Sequence, residues 1–168
     1  ECSEHRIMRW DGSRNEAFWH EPGSGACALA TWDGDLLLCA YDGNAMIRIA
    51  RDGRTLARRD RDIDGKPFIG PNDLTPDGAG GFYFTASGVF EIAAPVEGAV
   101  LHLDPDFRTR RLAEGLHYAN GIAFDPARRR LYVCETLAQR ILVYDAADGT
   151  LGAPGLFCHL PAIAPGTW

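Results

Sequence analysis

A repeat constrains the fold of this chain more than any other feature of its sequence. Four segments share a short strand followed by an acidic turn: Ile7-Met8-Arg9-Trp10-Asp11-Gly12, Met46-Ile47-Arg48-Ile49, Val100-Leu101-His102-Leu103-Asp104 and Ile141-Leu142-Val143-Tyr144-Asp145. Aligned on Trp10, Ile49, Leu103 and Tyr144, they stand 39, 54 and 41 residues apart. The long middle interval is explained by an extra stretch from Ser87 to Gly98 that contains Ala94-Pro95. A second series keeps step with the first. Asp33-Gly34 feeds Leu36-Leu37-Leu38, Asp77-Gly78 leads to Phe82-Tyr83-Phe84, and Asp125-Pro126 leads to Leu131-Tyr132-Val133. Ahead of each turn lies another short apolar strand, at Leu29 to Trp32, Leu74 to Thr75 and Ile122 to Phe124.

No stretch sustains an apolar period of about 3.6 residues, so helix is a minor component. A unit of about 45 residues holding several short strands and tight turns has the period and content of a β-propeller blade, typically a four-stranded sheet. A β-sandwich also gives short strands, but it does not predict the same order of turn, aromatic strand and acidic turn three times over. The expected fold is therefore all-β, a propeller of which this chain covers three to four blades of four-stranded antiparallel sheet. The approximate units are 1–25, 26–70, 71–118 and 119–168 of one partial domain. That number of blades is at the bottom of the usual range of about 4–8, so the chain reads as a piece of a longer propeller.

Composition narrows the function classes. At 168 residues, 46% hydrophobic and 24% charged, the chain suits one globular domain with a sizeable core. Its 19 glycines and 10 prolines suit frequent turns. A net charge of −6 argues against nucleic acid as a partner, and Arg58-Arg59 and Arg128-Arg129-Arg130 read as solvated turn faces. Cys2, Cys27, Cys39, Cys134 and Cys158 are odd in number and contain no C-x-x-C, a pattern of reduced, mostly buried thiols. No apolar run approaches the roughly 18 residues of a membrane span, and Glu1-Cys2-Ser3-Glu4-His5 is no signal peptide. The expectation is a soluble, cytoplasmic protein without a membrane partner; a leader removed earlier would leave no trace.

Two asparagines carry the chemistry. Asn72 and Asn120 each sit five residues before the aspartate of their turn, Asp77 and Asp125, and stand 48 residues apart. Equivalent positions of adjacent blades lie side by side around the central channel. In the preceding unit the residue five before Asp33 is Ala28, so that position does not need Asn to make its turn. Two readings stay open: Pro-Asn-Asp and Asn-Gly are ordinary turn sequences, and their amide oxygens are also hard neutral donors of the kind calcium takes.

At these residues the chain resembles the regucalcin/gluconolactonase family. The matching stretches are Gly70-Pro71-Asn72-Asp73-Leu74 with Gly81-Phe82-Tyr83-Phe84-Thr85, and Tyr118-Ala119-Asn120-Gly121-Ile122-Ala123-Phe124 with Leu131-Tyr132-Val133-Cys134-Glu135-Thr136. Arg6 to Trp10 and Asp33 to Leu37 resemble earlier blades of the family. The resemblance implies a six-bladed propeller with a divalent ion, usually calcium, at the channel mouth. A Glu, two Asn and an Asp hold that ion in the family, with one ligand-free blade between the Glu and the first Asn. Asn72 and Asn120 match the two asparagines, and Ala28 falls in the ligand-free blade. The Glu would lie upstream of residue 1. The Asp, which also serves as catalytic base or nucleophile, would lie about two residues beyond Trp168, leaving the catalytic residue of this chain unassigned. Sugar-lactonase members often carry Arg where this chain has Gly70, and Glu91 stands about one residue out of register with their acidic sugar contact.

The resemblance implies a calcium-dependent lactone hydrolase acting on a small-molecule lactone, with another divalent cation as the alternative metal. Asp73, His117, Tyr118 and Glu135 are its candidate substrate-binding residues, each with an ordinary structural reading beside the functional one. The rival class is a non-enzymatic propeller module that binds a ligand across its channel face. A third arrangement is self-association of two incomplete rings. Trp10, Trp19, Trp32 and Trp168 are read as blade-packing aromatics.

Overall fold

The computed structural model describes residues 3–147 and 149–161, so Cys2 and Trp168 lie outside the described residues. Those residues form fifteen strands and no helix. β1 (Arg6–Trp10) and β2 (Asn15–His20) make a two-stranded antiparallel sheet. β3 (Ala26–Trp32), β4 (Asp35–Ala40), β5 (Ala45–Ile49) and β6 (Thr55–Arg59) make a four-stranded meander in sequence order. β7 (Pro71–Pro76), β8 (Phe82–Ala86), β9 (Gly98–Leu103) and β10 (Thr109–Leu116) make another. The last sheet joins β11 (Ala119–Asp125), β12 (Arg130–Glu135) and β13 (Arg140–Ala147), with β14 (Thr150–Leu151) and β15 (Gly155–His159) both pairing to β13. No described helix is long and apolar enough to cross a membrane.

The two-residue side-chain period of a strand explains how these sheets stack. Along β4, Leu38 and Ala40 point to one side with Ile7 and Trp19 of the first sheet, while Leu37 and Cys39 point to the other with Phe82 and Phe84. Along β8 and β9, Phe84 and Leu101 face back toward that core while Tyr83 and Val100 face forward to Ile122, Leu131 and Tyr144. Three interfaces between four sheets thus account for the core, and the middle strands are buried on both faces. Their sequences are runs such as Asp35-Leu-Leu-Leu-Cys-Ala40 and not alternations. Trp19 and Trp32 sit in these interfaces, whereas Trp10, at 61% exposed, does not.

The acidic turns have a common physical reason. Asp11, Asp77, Asp104 and Asp125 each accept two backbone amides of their own turn through one carboxylate oxygen. At Asp77 the second oxygen also meets Nε2 of His102 at 2.8 Å. Burial raises the Asp77 carboxyl, but the His102 contact and the amides of Ala79 and Gly81 outweigh it and hold the group below its usual value. The chain end of β12 is pinned differently. Glu135 is 0% exposed, accepts the amide of His117 at 2.8 Å and pairs with Arg140.

Two outcomes follow. Arg140→Ala leaves a buried carboxylate without its cation and is expected to lower unfolding free energy by about 3 kcal/mol in urea titrations; a loss under about 1 kcal/mol would deny Glu135 its structural role. A depressed carboxylate contributes stability in full above its unfolded pKa, near 3.8, and loses it as pH falls through the lower folded value. Acid titration of Asp77→Asn should therefore show a shallower fall in stability below about pH 4 than the wild type.

Candidate channel-mouth site

The inner strands β3, β7 and β11 lie next to one another, with β7 packed between the other two. Each carries one extra residue near its start. The ladder of β3 slips between Ala26 and Ala28, that of β7 between Pro71 and Leu74, and that of β11 between Ala119 and Ile122. Bulges of this kind re-aim side chains and are common beside functional sites. Counted from the paired residues Ala26, Pro71 and Ala119, the first bulged positions are Cys27, Asn72 and Asn120.

This register corrects the sequence alignment by one residue. The counterpart of the asparagines on β3 is Cys27, not Ala28. The count from the turn fails because β3 remains paired through Trp32↔Asp35 and closes a two-residue hairpin with Asp33 at φ 50°. Asp125 itself pairs with Arg130, so its partner in β3 is Trp32. Cys27 is exposed, and its thiol lies 3.7 Å from Oδ1 of Asn72.

The bulge also explains Asp73. Its Oδ2 accepts the amide of Ile122 across the seam between sheets at 3.0 Å, and its Oδ1 accepts the amide of Leu74 at 2.9 Å. Thr85 completes the clamp. Its hydroxyl donates to the carbonyl of Asn120 at 2.7 Å and accepts the amide of Asp73 at 3.2 Å. One hydroxyl therefore ties the backbone beside Asn72 to the backbone of Asn120. Asp73 accepts a backbone amide with each carboxylate oxygen, and Glu135 is committed to Arg140 and His117. Both acids lie near the asparagines and both are used to hold the strands.

Asn120 is half-buried, and its Nδ2 donates to Oγ1 of Thr136 at 3.2 Å. With Gly121, Cys134, Thr136, Gln139, Leu160 and Pro161 it lines an open cleft of about 320 Å³. Burial pushes the thiols of Cys39 and Cys134 up, with the neighbouring Cys27 or Cys158 and Asp73 adding to it. Both therefore stay protonated and are poor nucleophiles.

Tyr118 opens the same strand. The residue before each inner strand has positive φ: Gly25 at 58°, Gly70 at 62° and Tyr118 at 60°. Glycine takes this conformation freely, whereas a bulky side chain pays about 1–3 kcal/mol. At Gly70 a Cβ would lie 2.7 Å from the ring of Tyr41, so a side chain there would have to displace that ring. Tyr118 instead sends its hydroxyl to that of Tyr41 at 3.1 Å and sets its ring 4.8 Å from that of Phe90. Burial and the Tyr41 contact push the Tyr118 phenol up, so it is a donor and not a base. His117 is exposed, and its ring lines a small recess of about 60 Å³ beneath the loop after β8. The positive φ of Tyr118 is not readable from sequence except by its alignment with Gly25 and Gly70.

The comparisons agree with this architecture. A solved gluconolactonase from Xanthomonas campestris matches 95% of this chain and 57% of its own, at TM-score 0.79 and 25% identity. A calcium-binding regucalcin from Agrobacterium tumefaciens shares the fold, at TM-score 0.69 and 17% identity over 93% of this chain and 52% of its own. Lactonase drp35 of Staphylococcus aureus is 38% identical over 71 residues, 42% of this chain and 21% of the relative. The chain thus spans little more than half the length of these structures and a smaller part of the curated lactonase. The family model described as the SMP-30/Gluconolactonase/LRE-like region matches residues 1–164, and the chain belongs to that family.

Proposed function

We propose that this chain forms part of a calcium-dependent lactone hydrolase, which opens a sugar or related lactone to its hydroxy acid. The observation that carries the reading is the shared bulge. It sets Asn72 and Asn120 at one register on neighbouring inner strands, where the hydroxyl of Thr85 ties the amide of Asp73, beside Asn72, to the carbonyl of Asn120. Lactone chemistry is supported by the names of the Xanthomonas gluconolactonase and the Staphylococcus lactonase, and calcium by that of the Agrobacterium regucalcin.

The two amides fit a hard cation. Thr136 takes the Nδ2 of Asn120, which leaves Oδ1 available as a donor. Among the described residues, Asn72 Oδ1 meets the weak thiol donor of Cys27. Calcium takes six to eight oxygens, and two neutral amides hold it weakly, so carboxylates from elsewhere must complete the shell. When bound, such an ion polarises a lactone carbonyl and acidifies a water. The chain's own part is to hold the backbone of both bulges through Thr85 and the Asn120 amide through Thr136. Since Asp73 and Glu135 are committed to the sheets, the general base falls to another carboxylate.

Calorimetry on the 168-residue chain is expected to give calcium affinity of ~1 mM or weaker, erased by Asn72→Ala or Asn120→Ala. Tight binding that survives either change would reject the two as ligands. Saturating calcium should also slow alkylation of Cys27 by iodoacetamide, read by mass spectrometry, because the ion occupies the oxygen that the thiol touches. An unchanged rate would remove the ion from Asn72. In a longer protein containing these residues, Asn120→Ala should abolish lactone hydrolysis, and turnover within about twofold of wild type would leave Asn120 a turn residue.

A further inference from the structure

The loop joining β8 to β9 carries more apolar side chain into solvent than packing explains. Val89 and Phe90 are over half exposed and Ile92 is 91% exposed, while the ends of the loop are fixed by the Ala86↔Ala99 pair. It is also held from below. Tyr41 donates its hydroxyl to the carbonyl of Gly88 at 3.2 Å, and Phe90 rests on the ring of Tyr118. Tyr118 keeps that ring in place at the cost of a left-handed backbone. Clustered exposed apolar residues on such a support mark a binding surface.

Phe90 and Ile92 face Leu137 across a cleft of about 400 Å³, with Glu91, Thr136 and Gln139 as its polar edge. That volume suits part of a small molecule, and an apolar lining with a few polar groups is the usual make-up of a ligand site. Thr136 and Gln139 also line the cleft that contains Asn120. The two spaces therefore share a wall, and Thr136 is the residue that orients the Asn120 amide.

We propose that the Phe90–Ile92–Leu137 cleft receives an apolar alkyl or aryl substituent on the lactone ring, so that the site selects substituted lactones over polyhydroxylated sugar lactones. The proposal rests on the lactonase reading for the ring and on the cleft alone for the substituent. A sugar lactone would place hydroxyls against the side chains of Phe90, Ile92 and Leu137, which offer no hydrogen-bond partner, and stripping water from those that do not reach Glu91, Thr136 or Gln139 at the edge is costly. A pentyl chain would bury there without leaving a polar group unpaired.

The test is binding, which does not need turnover. A pentyl-substituted δ-lactam, which mimics the lactone but resists hydrolysis, and gluconolactam are titrated onto the 168-residue chain by ligand-observed NMR. The pentyl lactam is expected to bind at least ~10-fold tighter, the scale of one or a few methylenes in an apolar pocket. Ile92→Ser and Leu137→Ser should each lower that preference severalfold. Ile92 is so exposed that its replacement does not threaten the fold, and a thermal melt checks both variants. Binding of the pentyl lactam that Ile92→Ser weakens, where a longer protein containing these residues hydrolyses no lactone, would support the cleft and sink the lactonase reading. Equal binding of the two lactams, or indifference to both substitutions, would overturn the cleft assignment. So would sedimentation showing that Ile92→Ser only dissolves a dimer, since the loop would then be covered by a second copy.

Discussion

One carboxylate oxygen of Asp73 accepts the amide of Ile122 across the seam between two sheets, and the geometry of the channel mouth depends on that contact. An extra residue in an antiparallel strand bends the strand and frees a backbone amide that must find a partner. Here the partner comes from the neighbouring blade. The same event that turns Asn120 out of the ladder therefore locks its strand to β7, and the Thr85 hydroxyl adds a second tie at the same level. Position and stability of the two asparagines arise from one local irregularity. An acid drawn into this role contributes precision to the site without being its chemistry.

The all-β architecture and its four-stranded sheets were legible because they follow from a repeat and from two-residue periodicity. The apolar runs at Leu36-Leu37-Leu38 and Phe82-Tyr83-Phe84 lie in strands buried on both faces, where alternation is lost and only the turns mark the boundaries. The asparagine register was legible within β7 and β11, where Asp77 and Asp125 each stand three residues after the first pair beyond the bulge, Leu74 and Ile122. It was off by one in β3, because a tighter hairpin moves the aspartate relative to the strand while leaving the sequence pattern intact. No residue type announces a bulge, so the displacement of Cys27 into line with Asn72 needed the ladder itself.

Glu135 and Tyr118 show the opposite limits. A glutamate at the end of an inner strand looks from sequence like a group aimed at the channel, yet burial without a cation would be too costly, and Arg140, which stands opposite it in the β12–β13 register, supplies the charge. Which carboxylates are spent on the scaffold depends on such cross-strand register. Tyr118, by contrast, occupies a position that glycine fills in the two preceding blades, and the strain it accepts is explained only by what its ring and hydroxyl touch. The cost of a conformation and its use are here visible in the same residue.

The loop after β8 leaves and rejoins the sheet through a single paired position, Ala86 opposite Ala99, while Asn72 and Asn120 belong to β7 and β11. Beyond Ser87, whose hydroxyl is tied to the carbonyl of Ala119, lengthening or reshaping such a loop costs little closure entropy and leaves the bulged residues in place. On the proposed reading, the surface that selects a ligand and the bulges that set the two asparagines are consequently separable heritable traits, and exchanging surface residues between Ser87 and Gly98 alters the first while keeping the second.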